Sequence, residues 1–241
     1  MSKNNYILII FEGEKTEKEI FDNLQKYFLN NKQNRIIYGF YCSEVYSLYN
    51  KLKKTDESIF YILRDALAHK NPILNNIKES QVESVYLFFD YDGHAPSATY
   101  TKLNDMLNTF NNEFENGKLY VSYPMVESLR HIKDDIDFKD IVAISAPGYK
   151  KISKQCNKEY LNFNNYTKDI WNKLIIQQCK KVNYIVNDDF NIPNDYIEQL
   201  DILTSQKTKY INQDNKVAVL SAFPIFLADY YGYDYIKKIN N

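Results

Sequence analysis

The sequence predicts an α/β fold: a mostly parallel four-stranded sheet flanked by helices, followed by a helical C-terminal extension. Three observations predict it. Residues 6–11, 36–41 and 85–89 are short, unbroken apolar runs rich in aromatic and β-branched side chains, the pattern of strands buried on both faces. A stretch of helical period separates the first two runs, which makes a βαβ unit with an expected right-handed crossover. Glycine and proline number only 6 each in 241 residues, so long regular elements and few elaborate loops are expected.

The elements follow in order. The first strand ends at Glu12-Gly13-Glu14. Thr16-Glu17-Lys18-Glu19 reads as a capping box, with the Thr16 hydroxyl on the helix N-terminus and Glu19 reaching back. Ile20, Phe21, Leu24, Tyr27 and Phe28 continue at helical spacing. After the second strand, 44–54 reads as a helix, and 58–69 and 72–78 as two short helices, a helical insertion of about residues 56–80 ahead of the strand at Val85. Pro96 opens a helix over roughly 98–114. Asn116-Gly117 is a turn and 118–122 a fourth strand. Pro124 stands where proline favours a first helical position, and the helix runs to about His131. Residues 134–241 are mainly helical in period: 166–182 around Trp171, 193–203, and the apolar 222–231. Residues 217–220 suit either a strand or the start of a buried helix. No Gly-, Pro- or Ser-rich linker interrupts the chain, so the expected organisation is a core domain over 1–133 with 134–241 docked on it.

Composition narrows the function. Apolar residues make up 44% and charged residues 25%, a globular balance. The formal net charge of −1 argues against a coat protein that binds nucleic acid nonspecifically, but not against a nuclease whose metal site and local lysines meet the phosphates. The three cysteines lack zinc-ligand spacing and read as reduced thiols of a cytoplasmic protein. The apolar core of MSKNNYILIIF is too short for a signal peptide, and no segment approaches a membrane span, so no membrane partner is expected.

The chemistry concentrates in VYLFFDYDG, residues 85–93. Side chains alternate along a strand, so Asp90 and Asp92 point the same way at its carboxyl end, where open parallel sheets place their ligand crevice. Two like charges there repel, and a divalent cation with all-oxygen ligation, Mg²⁺ or Mn²⁺, removes that penalty. Glu12 closes the first strand. If the two strands are neighbours about 4.8 Å apart, three carboxylates converge on one edge. Gly13 lets the backbone approach a ligand, and the helix N-terminus at Thr16 favours phosphate. Lys15 and His94 are further phosphate- or substrate-binding candidates. Glu127, in the first helical turn after the fourth strand, is a candidate ligand for a second ion. Glu14 reads as solvent-facing. Lys150, Lys151, Lys207 and Lys209 are candidate cations for a phosphoryl-transfer transition state. Most of the aromatic rings recur at helix or strand period and read as core.

LIIFEGEKTEKEIF resembles the first motif of the TOPRIM domain, an apolar strand followed by Glu-Gly and a helix. VYLFFDYDG resembles its second, an apolar strand ending in DxD. The EGEKTE form and short chain look most like stand-alone TOPRIM proteins of the RloB/abortive-infection type, which are associated with phage defence and related to the overcoming-lysogenization-defect nucleases. The resemblance covers roughly residues 5–132. It implies a TOPRIM-like sheet, Glu12 as metal ligand or general acid/base, and Asp90 and Asp92 as Mg²⁺ ligands. Where many family members have a third acidic residue, DxDxD, this chain has His94. The expected activity is metal-dependent hydrolysis of nucleic acid, DNA ahead of RNA, in antiviral defence. A partner ATPase and a second copy of the chain are candidate partners. Two rivals stand: a haloacid-dehalogenase-like phosphatase with Asp90 as nucleophile and Asp92 as acid, and a non-catalytic metal- or nucleotide-binding adaptor.

Overall fold

The computed structural model describes residues 5–29, 35–42, 45–91, 96–144 and 148–240. The fold is α/β, with a mostly parallel five-stranded sheet in the order β2-β1-β3-β5-β4: β1 (Asn5–Phe11), β2 (Arg35–Tyr41), β3 (Val82–Asp90), β4 (Asn111–Asn112) and β5 (Gly117–Ser122). The chain forms two compact units, Met1–Phe89 with Asp105–Leu119, and Asp90–Asn104 with Tyr120–Asn241.

In the first unit, β1 pairs in parallel with β2, ending at Phe11↔Tyr41, and with β3, ending at Phe11↔Phe88. Both edges of β1 are therefore hydrogen-bonded, and both faces are covered. Leu8, Ile10 and Phe11 are fully buried, which is why the run had to be apolar throughout. Helix α1 (Thr16–Tyr27) buries Ile20, Phe21 and Leu24. The Phe11 ring lies 5.3 Å from Phe21, 5.6 Å from Tyr41 and 5.3 Å from Phe88, an aromatic cluster at the carboxyl ends of three strands. A Cβ at Gly39 of β2 would stand 2.4 Å from the Phe21 ring, so only glycine lets that ring seat on the sheet. The insertion between β2 and β3 holds α2 (Val45–Lys54), α3 (Ile59–Leu67) and two 3₁₀ turns, Pro72–Asn76 and Glu79–Gln81.

Three local expectations are corrected. The capping box does not form: Lys15 is the N-cap, and no side chain bonds the helix end in the capping position. The carboxylate of Glu17 instead turns back to the N–H of Gly13. The sheet has a fifth strand, because the helix after β3, α4 (Pro96–Thr109), stops short and Asn111–Asn112 folds back antiparallel onto Gly117 and Lys118. Pro124 does not begin an α-helix. Its peptide with Tyr123 is cis, and the turn that follows, Val126–Arg130, is 3₁₀.

In the second unit, the Tyr91 N–H bonds the Ser122 carbonyl at 2.9 Å, so β3 and β5 finish side by side. Tyr123 exchanges two backbone hydrogen bonds with Leu220, of 2.8 and 3.0 Å. The unit is built around α6 (Lys168–Asn187), capped by Thr167 and carrying Trp171, Leu174, Ile175 and Cys179 in full burial. Before it come β6 (Val142–Ile144) and α5 (Tyr149–Ser153). After it come α7 (Gln199–Gln206), a π-helical turn Lys207–Ile211, α8 (Asn212–Asp214), β7 (Lys216–Ala218), α9 (Ala222–Tyr231) and α10 (Tyr233–Asn240). Strands β6 and β7 pair antiparallel. The buried Gln206 amide brackets Ala218, donating to its carbonyl and accepting from its N–H at 2.8 Å each, as a further strand would. No described helix is long and apolar enough to cross a membrane.

Lys181 of α6 is wholly buried, and its ammonium donates to the carbonyls of Phe138, Lys139 and Ile141 at 2.6, 2.9 and 2.8 Å. Three acceptors match the three donors of a protonated lysine, so one side chain ties the chain ahead of β6 to the central helix. Lys181→Met keeps the stem but strands those carbonyls. It should cost about 3 kcal/mol or more, read as a lower urea midpoint with unchanged slope.

Candidate functional site

The first unit holds Glu12. It follows the last β1 residue and is half-buried. Phe11 pairs with Phe88, so β1 and β3 end on the same edge of the sheet. After Glu12, the Gly13 N–H donates to Glu17 Oε1 at 3.0 Å. A Cβ at Gly13 would meet that carboxylate at 2.4 Å. The glycine thus admits the chain's own anion to the loop. Glu17 is buried, while Lys15 is exposed. Glu14 turns outward to Lys70 at 3.3 Å, both side chains more than half exposed.

The second unit holds Asp90 and Glu127. Asp90 is the last residue of β3 and is half-buried. Glu127 sits in the 3₁₀ turn just after β5, with its side chain only 4% exposed. Lys150 Nζ lies 3.3 Å from Glu127 Oε1. Glu127 Oε2 is buried with no hydrogen-bond partner among the described residues. A buried carboxylate oxygen left bare is costly. One exposed lysine meets half of the group's need, and a cation on the other oxygen would meet the rest.

Tyr149 ties this arrangement together. It is 2% exposed, and burial pushes its phenol well above the ordinary range, with Glu127 and Asp90 raising it further and Arg130 opposing. Its hydroxyl therefore lies in the field of both carboxylates. The partner of that hydroxyl is His131 Nδ1, at 3.0 Å. Burial first, then Lys133 and Lys181, lower the His131 pKa to about 4, so the ring is neutral at physiological pH. Arg130 is held by Ser153 Oγ at 3.1 Å and lies over the Phe163 ring at 5.2 Å, a packing role.

Of the sequence candidates, Lys150 pairs with Glu127, and Glu127 and Asp90 both act electrostatically on Tyr149. Asp92 and His94 lie outside the described residues. Among the described residues, no three His, Cys, Asp or Glu side chains converge closely enough to hold a metal ion. Of the other lysines, Lys151 is exposed and Lys209 pairs with Asp188 at 2.8 Å. Sequence reasoning missed Tyr149 and His131. A buried tyrosine has the pattern of core, and their partnership spans 18 residues. The signal within reach was Gly148, whose φ of 118° opens α5 just where Tyr149 and Lys150 begin.

No protein-family model matches this chain, and comparison with curated proteins and with solved structures finds no match.

His131 carries a pH dependence. Its folded pKa of about 4 lies below the ordinary 6.5, so the unfolded chain binds the proton more readily. The stability it contributes is full above about pH 6.5 and is lost as pH falls toward 4. Thermal melts across that range should show Tm falling, with a shallower fall in His131→Gln.

Proposed function

We propose that the chain is a metal-dependent nuclease that hydrolyses phosphodiester bonds, with Glu12, Asp90, Asp92 and Glu127 as the carboxylates that hold Mg²⁺ or Mn²⁺. The observation that carries the reading is the buried Glu127 carboxylate with one oxygen unpartnered among the described residues, in the same unit as Asp90. The donor set is all oxygen, which suits a hard divalent cation. The parallel β1–β3 pairing supports Glu12 as a member, because the two strands end on one edge. A TOPRIM-like fold is part of this proposal, supported by the parallel order β2-β1-β3 and by carboxylates following the apolar strands β1 and β3.

The ion would supply Lewis acidity toward the phosphate and a lowered pKa for water. The chain's residues do the rest. Lys150, exposed and beside Glu127, meets the charge of an incoming phosphate. Tyr149 holds its proton against the carboxylates, and neutral His131 fixes the hydroxyl's direction without adding charge. Glu12 serves as ligand or as acid/base. Lys15, Gly13 and His94 are assigned to the substrate phosphates, with Glu17 already on the Gly13 N–H. The resemblance to RloB/abortive-infection proteins supports a role in defence against phage, with DNA ahead of RNA as substrate and an ATPase as partner.

Incubation of the purified protein with plasmid, single-stranded DNA and RNA in Mn²⁺ tests the reading. Cleavage should require the metal and fall about 100-fold or more in Asp90→Asn and in Glu127→Gln, with thermal melts unchanged. Equal cleavage by both variants would refute the assignment. Hydrolysis of a small phosphate monoester through a trapped aspartyl-phosphate, with nucleic acid left intact, would replace it with the phosphatase.

A further inference from the structure

Within the second unit, Tyr91, Tyr100, Lys207, Ile211, Asn212 and Asn215 line a cavity of about 310 Å³. That is the lower end of the range for small-ligand sites, room for one nucleotide rather than a protein segment. Its walls are unusual in three ways. The ammonium of Lys207 lies 3.5 Å from the centroid of the Tyr100 ring, and among the described residues it makes no ion pair. Lys207 opens a π-helical turn in which the Asn212 N–H bonds the Lys207 carbonyl, five residues back. Such turns cost regular helix geometry and occur frequently at functional sites. Asn215 holds a left-handed φ of 53° directly ahead of β7. The Tyr91 ring is 2% exposed and stacks on Tyr123 at 5.3 Å, which makes it a fixed wall.

The chemistry is specific. Aromatic surface takes a flat ring, the amides of Asn212 and Asn215 offer both donors and acceptors to its edge, and Lys207 supplies a charge for an anion. A nucleotide combines a flat heteroaromatic ring, a polar edge and a negative group. Tyr91 follows Asp90 in the chain.

We propose that this cavity binds a single nucleotide unit, its base against Tyr100 and the two asparagines and its phosphate on Lys207, and so holds part of the substrate strand. The inference deepens the nuclease reading and rests on it for the role of the bound strand, but not for binding itself, which needs no metal.

Titration of the full chain with thymidine 5′-monophosphate and with a ten-nucleotide oligothymidylate, both in EDTA, tests it. Binding should weaken about tenfold in Lys207→Ala and in Asn215→Gly. The glycine keeps the left-handed backbone while removing the amide, so folding is retained. Glu127→Gln should bind as wild type does. An oligonucleotide that binds more tightly than the mononucleotide identifies a strand as the ligand, and equal affinities identify a free nucleotide. Absence of mononucleotide binding, or equal binding by wild type and both pocket variants, would overturn the proposal even if metal-dependent cleavage is found. Binding lost in the pocket variants, with no cleavage by wild type, would keep the pocket and remove the nuclease.

Discussion

Strand β1 is hydrogen-bonded on both edges and buried on both faces, and that constraint orders what surrounds it. A central parallel strand cannot turn a polar side chain to water along its length, so polarity is deferred to the residue after its end. In β1 that residue is Glu12. The same rule applies to β3, whose apolar run ends at Asp90. Phe11, ringed by Phe21, Tyr41 and Phe88, is the last apolar layer before that edge. Apolar packing thus decides where the carboxylates are allowed to stand.

The second unit meets a harder problem with the same economy of parts. Some of its polar side chains are buried against specific partners: Lys181 against three carbonyls, Gln206 against both backbone groups of Ala218, and His131 against Tyr149. Glu127 Oε2 is the carboxylate oxygen among several buried polar atoms without a hydrogen-bond partner among the described residues, together with Tyr123 Oη, Asn172 Oδ1 and Gln178 Nε2.

Strands β1, β2 and β3 were legible because an apolar run without alternation has few other meanings at that length, and α1 because five side chains recur on one face. The hairpin strand β4 was not legible: Asn111 and Asn112 carry no apolar pattern and join the sheet only through Gly117 and Lys118. Thr16 looked like a cap because sequence shows which residues can cap, not which one the tertiary fold leaves in place; Glu17 takes the Gly13 N–H instead. Residue type alone does not show the roles of Lys181 and Tyr149. Their roles arise from backbone carbonyls and carboxylates brought from distant segments. For the candidate site, Glu12, Asp90 and Glu127 were visible as acids following apolar strands, whereas the surroundings of Glu127 are tertiary facts.

The central claim is that acids from separate strands share one ion. Electron paramagnetic resonance of Mn²⁺ added to the full chain measures this without reference to any activity. Mn²⁺ should bind tightly, be displaced by Mg²⁺, and lose affinity sharply in Glu12→Gln and again in Asp90→Asn. Mn²⁺ bound with the same affinity in wild type and Glu12→Gln, or not bound by wild type at all, would contradict it.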